Sequence, residues 1–322
     1  MAQITQRIVQ TNGINMRIAE AGSGPLVVLC HGFPESWYSW RHQITALADA
    51  GYHAVAPDQR DYGGTDAPLR PDAYTQLHLV GDIVGLVKVL GESQAVVVGH
   101  DWGAPVAWNA ALWRPDIFRA VAALSVPVSD RAPVAPTAGM RQVFGDNFFY
   151  ILYFQTPGVA EHELRHDVRE TMRSFLYGAS GNAPDRGLLL VSNPAPKTAF
   201  FLPQLPPTSG LPPWLTEADL DYFTAEFTRT GFRGGLSWYR YMARSWELSA
   251  AFAGLELKQP SLFISGDRDL IRANPAFETQ MRAVATALRE VVMIPGVGHW
   301  TQQEAPDVTN AALIRFLRSL DS

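Results

Sequence analysis

The sequence has few cysteines, no long apolar runs and no excess of basic charge. Its single cysteine, Cys30, excludes an internal disulfide bond and fits a reducing cytoplasm. No apolar run approaches the roughly 20 residues of a membrane-spanning helix, and the polar, alternating start does not resemble a signal peptide. A net charge of -5 argues against a nucleic-acid surface. We therefore expect a cytoplasmic protein without nucleic-acid partners or stable membrane insertion.

Hydrophobic residues make up 47% of the 322 residues, which is enough to bury a large core. Short, continuous apolar runs recur along the chain and are typical of strands buried on both faces. These runs are Leu26–Cys30, His53–Ala56, Ala95–Val98, Val121–Ser125, Ser261–Ser265 and Glu290–Ile294. Stretches with helical spacing lie between them, such as Leu77–Leu90, Ala104–Trp113 and Ala305–Leu320. The alternation predicts an α/β fold with a mostly parallel central sheet.

The alternation of strands and helices stops near position 128 and resumes near position 261, and helical patterns dominate between the two. Thr216 followed by Asp219 resembles a capping box, which predicts the start of a helix there. We therefore expect residues 1–128 and 251–322 to form one α/β core. Residues 129–250 are expected to form an inserted helical cap.

The stretch GHDWG, from Gly99 to Gly103, has the small–x–nucleophile–x–small pattern of a hydrolase nucleophile elbow. A predicted strand before it and a predicted helix after it give Asp101 the context that an elbow requires, and the glycines allow a sharp turn. Most elbows carry serine at the centre, whereas this one carries a carboxylate. The simpler alternative is that Asp101 only caps the following helix.

Two further candidate groups follow later strands. Asp267 and Asp269 come after one predicted strand in FISGDRDLI, and His299 comes after the next in IPGVGHWTQ. This is the order nucleophile, acid, histidine of α/β-hydrolases, and all three positions belong to the carboxyl ends of the strands. We favour Asp269 as the acid because it is able to reach back from the loop, whereas Asp267 suits a turn. Asp130 is the other competitor, but it lies far from the end of the strand Val121–Ser125.

The stretch HGFP, from His31 to Pro34, follows the predicted strand Leu26–Cys30 directly. It occupies the place of the loop that completes the oxyanion hole in hydrolases with a nucleophile elbow. We therefore expect the backbone N–H groups of Phe33 and Trp102 to form this hole.

A central aspartate favours chemistry at a saturated carbon. A carboxylate is already ionised at neutral pH, because the reference pKa of aspartic acid is about 3.9, so it attacks without a base. Attack at saturated carbon gives an alkyl ester, which His299, oriented by an acid, then hydrolyses by activating water. An opening epoxide also needs an acid for its oxygen, and phenols are able to supply one. We therefore expect tyrosines of the cap to face Asp101.

The motifs together resemble those of the soluble epoxide hydrolases of the α/β-hydrolase superfamily, and most of all the smaller actinobacterial type. The resemblance runs nearly end to end, through HGFPESWYSWRHQI, VAPDQRDYGGTDAP, VGHDWGAPVAWN, FFYILYFQTPGVAEHEL, TGFRGGLSWYRYM and GVGHWTQQEAP. It implies that Asp269 is the acid of the triad and that Tyr150 and Tyr239 open the ring. From the residues alone, Tyr153 is a rival for Tyr150, and Tyr241 stands close to Tyr239.

Other expectations concern the pocket and the partners. We expect an apolar pocket, whose candidate lining residues also suit a plain core: Phe33, Pro34, Trp37, Trp102, Trp238 and Trp300. The expected partners are an apolar epoxide and water, with no cofactor, no metal and either a monomer or a homodimer. A role in detoxification fits that chemistry. One departure is Asp61, where many relatives have glycine; if the turn requires positive φ, aspartate is among the better substitutes.

Two alternatives share parts of the pattern. Dehalogenases also use an aspartate nucleophile, but haloalkane dehalogenases typically have asparagine or another side-chain donor where this chain has Phe33. Fluoroacetate dehalogenases follow the nucleophile with arginine, whereas Trp102 stands here. A ligand receptor without catalysis is the second alternative, because a fold does not fix a function. It predicts a degenerate set of site residues, whereas all five candidate positions carry suitable side chains.

Overall fold

The computed structural model describes residues 2–184, 195–208, 210–270 and 274–320. Within them lies one twisted sheet, whose strands are β1 (Thr5–Thr11), β2 (Ile14–Ala21), β3 (Leu26–Cys30), β4 (His53–Pro57), β5 (Ala95–His100), β6 (Phe118–Leu124), β7 (Ser261–Gly266) and β8 (Leu288–Ile294). Their order across the sheet is β1-β2-β4-β3-β5-β6-β7-β8. Strand β2 pairs antiparallel with both β1 and β4. The remaining pairs, from β4–β3 to β7–β8, are parallel. The predicted α/β fold with a mostly parallel sheet is confirmed.

Helices cover both faces of the sheet. The described helices are α1 (Arg41–Asp49), α2 (Gln76–Val89), α3 (Gly103–Trp113), α4 (Pro136–Phe144), α5 (Tyr150–Tyr153), α6 (Val159–His166), α7 (Val168–Gly178), α8 (Glu217–Thr230), α9 (Arg233–Arg240), α10 (Met242–Leu248), α11 (Phe277–Val284), α12 (Thr301–Glu304) and α13 (Pro306–Arg318). Side chains of α2 and α3 pack on one face, and those of α1 and α13 pack on the other. Strands β3 and β5 are therefore buried along their whole length, as their continuous apolar sequences require.

The chain between β6 and β7 carries helices α4 to α10. The capping box expected at the start of α8 is present, since Thr216 Oγ1 accepts from the Asp219 N–H at 3.1 Å and Asp219 Oδ2 accepts from the Thr216 N–H at 2.9 Å. Residues 185–194 and 209 of the predicted cap lie outside the described part of the chain. The cap boundaries at 129 and 250 stay a prediction.

Ion pairs join the helices between β6 and β7 to the rest of the molecule. Arg17 of β2 contacts Glu226 of α8 at 2.7 Å, and Asp61 contacts Arg233 of α9 at 2.9 Å. Asp61 has a φ of +68°, and its carboxylate also accepts from the Tyr74 hydroxyl at 2.6 Å. The turn thus has the positive φ that glycine or aspartate tolerates best. Aspartate here adds polar contacts that glycine is unable to make.

Candidate active site

The elbow around Asp101 is a tight turn between β5 and α3. Asp101 has a φ of +49°, a left-handed conformation that few residues other than glycine adopt. A Cβ atom on Gly99 would overlap the carbonyl oxygen of Gly103, and one on Gly103 would overlap the carbonyl oxygen of Cys30. Glycine is therefore required at both flanking positions. This strained turn holds the Asp101 carboxylate beyond the carboxyl end of β5.

The structure brings Asp269 and His299 to Asp101. His299 Nε2 lies 3.4 Å from Asp101 Oδ2, and His299 Nδ1 lies 3.1 Å from Asp269 Oδ2. The rival Asp267 is exposed, and its Oδ1 accepts from the Gly296 N–H at 2.8 Å, which is the role of a turn residue. The other rival, Asp130, is also exposed. Of the three carboxylates considered from the sequence, Asp269 alone meets the histidine.

The charges around His299 favour its protonated form. Burial opposes that form, but Asp269 and then Asp101 outweigh burial and raise the pKa of His299 well above its usual 6.5. Burial likewise opposes the charged form of Asp269, but His299 outweighs it and lowers the pKa of this carboxyl. The histidine and its acid therefore form an ion pair while Asp101 carries its charge.

The turn after β3 provides a backbone donor to the nucleophile. The Phe33 N–H donates to Asp101 Oδ1 at 2.7 Å. A Cβ atom on Gly32 would overlap the Asp101 side chain, so glycine lets the turn approach this closely. Among the described residues, no hydrogen bond joins the Trp102 N–H to Asp101. Trp102 directly follows the nucleophile in the elbow, and its N–H remains the predicted second donor.

Tyr150 and Tyr239 lie together beside the two cavities that Asp101 borders. Tyr150 begins α5, Tyr239 belongs to α9, and their ring centroids are 6.1 Å apart. Burial, and then the negative charge of Asp101, raise the pKa of both phenols above the usual value of 10. Both hydroxyls are therefore protonated at neutral pH and able to donate.

The rival tyrosines are placed elsewhere. The Tyr153 hydroxyl donates to Glu163 Oε2 at 2.7 Å, and its side chain lines neither of the cavities that border Asp101. Tyr241 also lines neither of these cavities. The geometry therefore separates Tyr150 from Tyr153, which the sequence spacing left open.

Two cavities meet at the Asp101 carboxylate, and both are bordered by Tyr150 and Tyr239. The first, which we call the α3 pocket, has a volume of about 360 Å³ and is lined by Gln76, Asp101, Trp102, Pro105, Asn109, Trp113, Val126, Pro136, Tyr150, Ile151, Tyr239, Met242, Ser245, Trp246 and Ser249. The second, which we call the Phe pocket, has a volume of about 330 Å³ and is lined by Phe33, Asp101, Ser125, Val126, Pro127, Phe149, Tyr150, Phe175, Ala179, Phe201, Leu205, Tyr239, Asp269, Leu270, Asn274, Phe277, His299 and Trp300.

Only three of the six residues that the sequence predicts for the pocket wall line these cavities. Phe33, Trp102 and Trp300 do, but Pro34, Trp37 and Trp238 do not. Neither cavity supports Pro34, Trp37 and Trp238 as lining residues, and their role in the pocket stays a prediction. Trp37 turns away and packs edge-on against Tyr38 and Tyr222.

Trp238 and Pro34 are buried parts of the packed structure. Trp238 precedes Tyr239 on α9, so its side chain points about 100° away around the helix and packs edge-on against Tyr62. Pro34 is buried in the turn that follows β3. Trp238 also packs edge-on against Trp102, so it supports the wall of the site from behind.

A buried pair behind the site was missed from the sequence. His100 Nδ1 lies 2.7 Å from Glu35 Oε2, and His100 Nε2 lies 2.8 Å from the carbonyl oxygen of His299. Glu35 Oε2 also accepts from the Gly32 N–H at 2.7 Å. The pair thus joins the turn after β3, the elbow and the histidine loop. The only sequence signal is that both residues stand within the HGFPE and GHDWG motifs.

A second set of missed contacts joins the two tyrosine-bearing helices. The Gln155 side chain donates to the carbonyl oxygens of Ile151 at 2.9 Å and Tyr239 at 3.1 Å. Arg240, which follows Tyr239, donates to the Phe154 carbonyl oxygen at 2.9 Å. These bonds fix the distance between α5 and α9, and with it the spacing of the phenols.

The described residues contain no group of three or more histidine, cysteine, aspartate or glutamate side chains arranged to hold a metal ion. None of the described helices combines the length and the apolar character needed to cross a lipid bilayer. The polar side chains that both cavities share are those of Asp101, Tyr150 and Tyr239.

Comparisons with known proteins agree with this arrangement. A family model described as alpha/beta hydrolase fold matches residues 25–306. Epoxide hydrolase A of Mycobacterium tuberculosis is 48% identical over 100% of this chain and 99% of its own length. The crystal structure of epoxide hydrolase A from Mycobacterium thermoresistibile has a TM-score of 0.93 at 50% identity and covers 98% of both chains. An epoxide hydrolase from an endophytic Streptomyces has a TM-score of 0.94 at 45% identity, over 99% of this chain and 96% of that one. The resemblance noted from the motifs is thereby confirmed, and the chain belongs to the epoxide hydrolases of the α/β-hydrolase superfamily.

Proposed function

We propose that the protein converts apolar epoxides to vicinal diols in two chemical steps, with Asp101 as the nucleophile. Asp101 Oδ1 accepts a hydrogen bond from the Phe33 N–H, so Oδ2 is the oxygen that remains to attack a ring carbon. The new C–O bond forms as the ring C–O bond breaks, which leaves an alkyl ester on Asp101 and a developing alkoxide on the other carbon. Binding energy from the two pockets holds the ring against the carboxylate.

The developing alkoxide takes a proton from the Tyr150 or Tyr239 hydroxyl in this proposal. The two ring centroids are 6.1 Å apart, and both tyrosines line the same two cavities as Asp101. An epoxide bound there would border the carboxylate and both phenols at once. This convergence of one carboxylate and two phenols on the same cavities is the observation that carries the proposal.

The second step is hydrolysis of the ester. Neutral His299 takes a proton from water, and the resulting hydroxide attacks the carbonyl carbon of the Asp101 ester. The N–H groups of Phe33 and Trp102 stabilise the oxyanion. Its collapse breaks the bond between the carbonyl carbon of Asp101 and the ester oxygen, and the departing alkoxide takes the proton of the newly formed Asp101 carboxyl group, which releases the diol and restores the carboxylate. The proton on His299 returns through water to the tyrosinate, so the sum is epoxide plus water to diol. Asp269 orients the imidazole and stabilises its cation.

Halide displacement is the second candidate, and the phenols argue against it. A leaving halide requires hydrogen-bond donors but no proton, whereas a leaving alkoxide takes a proton, which two phenols that are protonated at neutral pH are able to supply. We further propose residues 129–250 as the cap, a cytoplasmic location, a monomer or homodimer, and a role in the detoxification of apolar epoxides.

The proposed activity is tested with styrene oxide and 1-bromobutane side by side. We expect vicinal diol from styrene oxide, measured by chromatography, and no bromide release above the background of buffer. Asp101→Asn is the control, because it keeps the size of the side chain and removes its charge; no diol is expected from it. Bromide release without diol formation would assign the site to dehalogenation instead.

The hydrolysis step is expected to depend on pH through His299. Both carboxylates raise the pKa of His299, and Asp101 loses its charge when the ester forms. The pKa of His299 should therefore be lower in the ester than in the free enzyme. Single-turnover hydrolysis should speed up as pH rises through that lower pKa and then level off. The pKa of His299 in the free enzyme is measured by NMR. If the apparent pKa of single-turnover hydrolysis equals or exceeds that value, the role of His299 as the base is contradicted.

A further inference from the structure

The loop that carries His299 lies directly against the chain that leaves α7. A Cβ atom on Gly298 would overlap the backbone nitrogen of Gly181, and one on Gly181 would overlap the carbonyl oxygen of Gly296. The His299 N–H donates to the Ala179 carbonyl oxygen at 2.8 Å. The position of the imidazole therefore depends on how these two segments are held together.

The Glu304 carboxylate binds the histidine loop on both sides of the histidine. Glu304 is the last residue of α12 and is partly buried. Its Oε2 accepts from the Gly298 N–H at 3.1 Å, and its Oε1 accepts from the Trp300 N–H at 3.1 Å. Gly298 and Trp300 are the two neighbours of His299 in the sequence. One side chain thus fixes the backbone before and after the histidine.

The same carboxylate also binds the chain that leaves α7. Glu304 Oε2 accepts from the Gly181 N–H at 2.9 Å and from the Ser180 hydroxyl at 3.1 Å. Ser180 Oγ in turn accepts from Trp214 Nε1 at 3.0 Å. Arg268, in the loop after β7, donates to the Gly181 carbonyl oxygen at 2.7 Å. Glu304 therefore joins the histidine loop to a segment that is itself held in place.

A carboxylate is the side chain that suits this position. Burial raises the pKa of Glu304 above its usual value, and the hydrogen bonds from its four donors oppose that effect. The two oxygens of an ionised carboxylate only accept, so they satisfy all four donors. A glutamine amide has the same size but only one oxygen. Its NH2 group would face a backbone N–H, and at least one of the four bonds would be lost.

The groups proposed to open the epoxide ring are held by other contacts. Asp101 follows β5, and the two phenols belong to α5 and α9. In the part of the chain that the structure describes, the Glu304 carboxylate accepts only from the four donors named above. Loss of these bonds would therefore displace His299 and leave the nucleophile and the phenols in place. Ring opening uses no base, whereas hydrolysis of the ester does.

We propose that Glu304 is a positioning residue for the second chemical step. By holding the backbone on both sides of His299 against the chain after α7, it orients the imidazole toward the water that attacks the ester. This inference rests on the proposed epoxide hydrolysis and adds a residue to its hydrolytic step. A misplacement of about 1 Å in an active site reduces a rate about 10²-fold, so a smaller shift has a measurable effect.

The test follows both chemical steps of Glu304→Gln with styrene oxide. Stopped-flow tryptophan fluorescence gives the rate constant of alkylation, and the decay of the ester in a single turnover gives that of hydrolysis. We expect the hydrolysis constant to fall about tenfold and the alkylation constant to stay within about twofold of the wild type. Because the ester then accumulates, KM should fall together with kcat. Partly unfolded protein would lower the amplitudes but not these rate constants.

Two further variants complete the experiment. Glu304→Asp keeps the carboxylate but is one methylene shorter, so its hydrolysis constant should lie between those of the wild type and Glu304→Gln. It also shows the effect if the glutamine variant does not fold. Glu92→Gln removes an exposed carboxylate before β5 and is the matched control; both of its constants should equal those of the wild type.

Two results would overturn the inference about Glu304. One is a wild-type hydrolysis constant in both Glu304 variants. The other is an equal fall in the alkylation and hydrolysis constants, which would indicate a general structural role. If the wild type forms neither ester nor diol from styrene oxide, the proposed activity itself is wrong.

Discussion

Replacement of His299 by glutamine is expected to stop the enzyme after its first chemical step, with the substrate bound covalently to Asp101. Glutamine is unable to act as the base for water, whereas the attack of Asp101 on the ring does not use that base. Turnover should fall about 10²- to 10⁴-fold. Intact mass spectrometry after incubation with styrene oxide should show one added substrate mass per chain, and peptide mapping should place it on Asp101.

The fold should survive this substitution. The contacts that hold the loop of His299 are made by its backbone, whose carbonyl oxygen accepts from Ser125 Oγ at 2.8 Å and lies 2.8 Å from His100 Nε2. These contacts remain in His299→Gln. His166→Gln changes an exposed histidine of α6 and should keep full turnover. An unchanged mass in His299→Gln, with tyrosines and Asp101 intact, would contradict the covalent mechanism.

The position of the nucleophile was predictable because local sequence determines it. Gly99 and Gly103 are required by close backbone approach, and the apolar run before them forms a fully buried strand. The turn after β3 was predictable for the same reason, since Gly32 lies against the Asp101 side chain. Such short-range steric requirements leave a clear pattern in a sequence.

The choice between neighbouring side chains depended on partners that are distant in sequence. Asp269 rather than Asp267 meets His299 because Asp267 is held by the Gly296 N–H at 2.8 Å. Tyr153 is likewise held by Glu163, whose carboxylate also accepts from the Leu202 N–H at 2.9 Å. Spacing along one chain segment does not contain this information. Family resemblance favoured the same residues from the motifs alone.

Two further features could not be predicted from the sequence, for a related reason. They are the choice of aromatic residues that line the pocket and the buried contact between Glu35 and His100. An aromatic side chain suits both a pocket wall and a packed core, so the residue type does not determine which way the side chain points. Trp37 is an example, because its ring packs against Tyr222. Glu35 and His100 are 65 residues apart and meet only because β3 and β5 are neighbours in the sheet. Contacts of this kind follow from topology, which the order of strands along the chain does not specify.

Removal of both phenols, in the double variant Tyr150→Phe with Tyr239→Phe, is expected to abolish ring opening while leaving the nucleophile in place. Burial and the charge of Asp101 raise the pKa of both tyrosines, so each stays protonated and available as an acid up to at least the usual phenol pKa of about 10. Without them the alkoxide forms unprotonated, and the rate of alkylation should fall about 10²- to 10⁴-fold. Stopped-flow tryptophan fluorescence, with Trp102 beside Asp101, measures this rate.

Each single variant should keep part of the activity, because the remaining hydroxyl still reaches the ring oxygen. Tyr153→Phe is the matched control: it removes a phenol of the same helix that is bonded to Glu163, and alkylation should proceed at the wild-type rate. Alkylation that is lost in Tyr153→Phe and retained in the double variant would transfer the acid role to Tyr153.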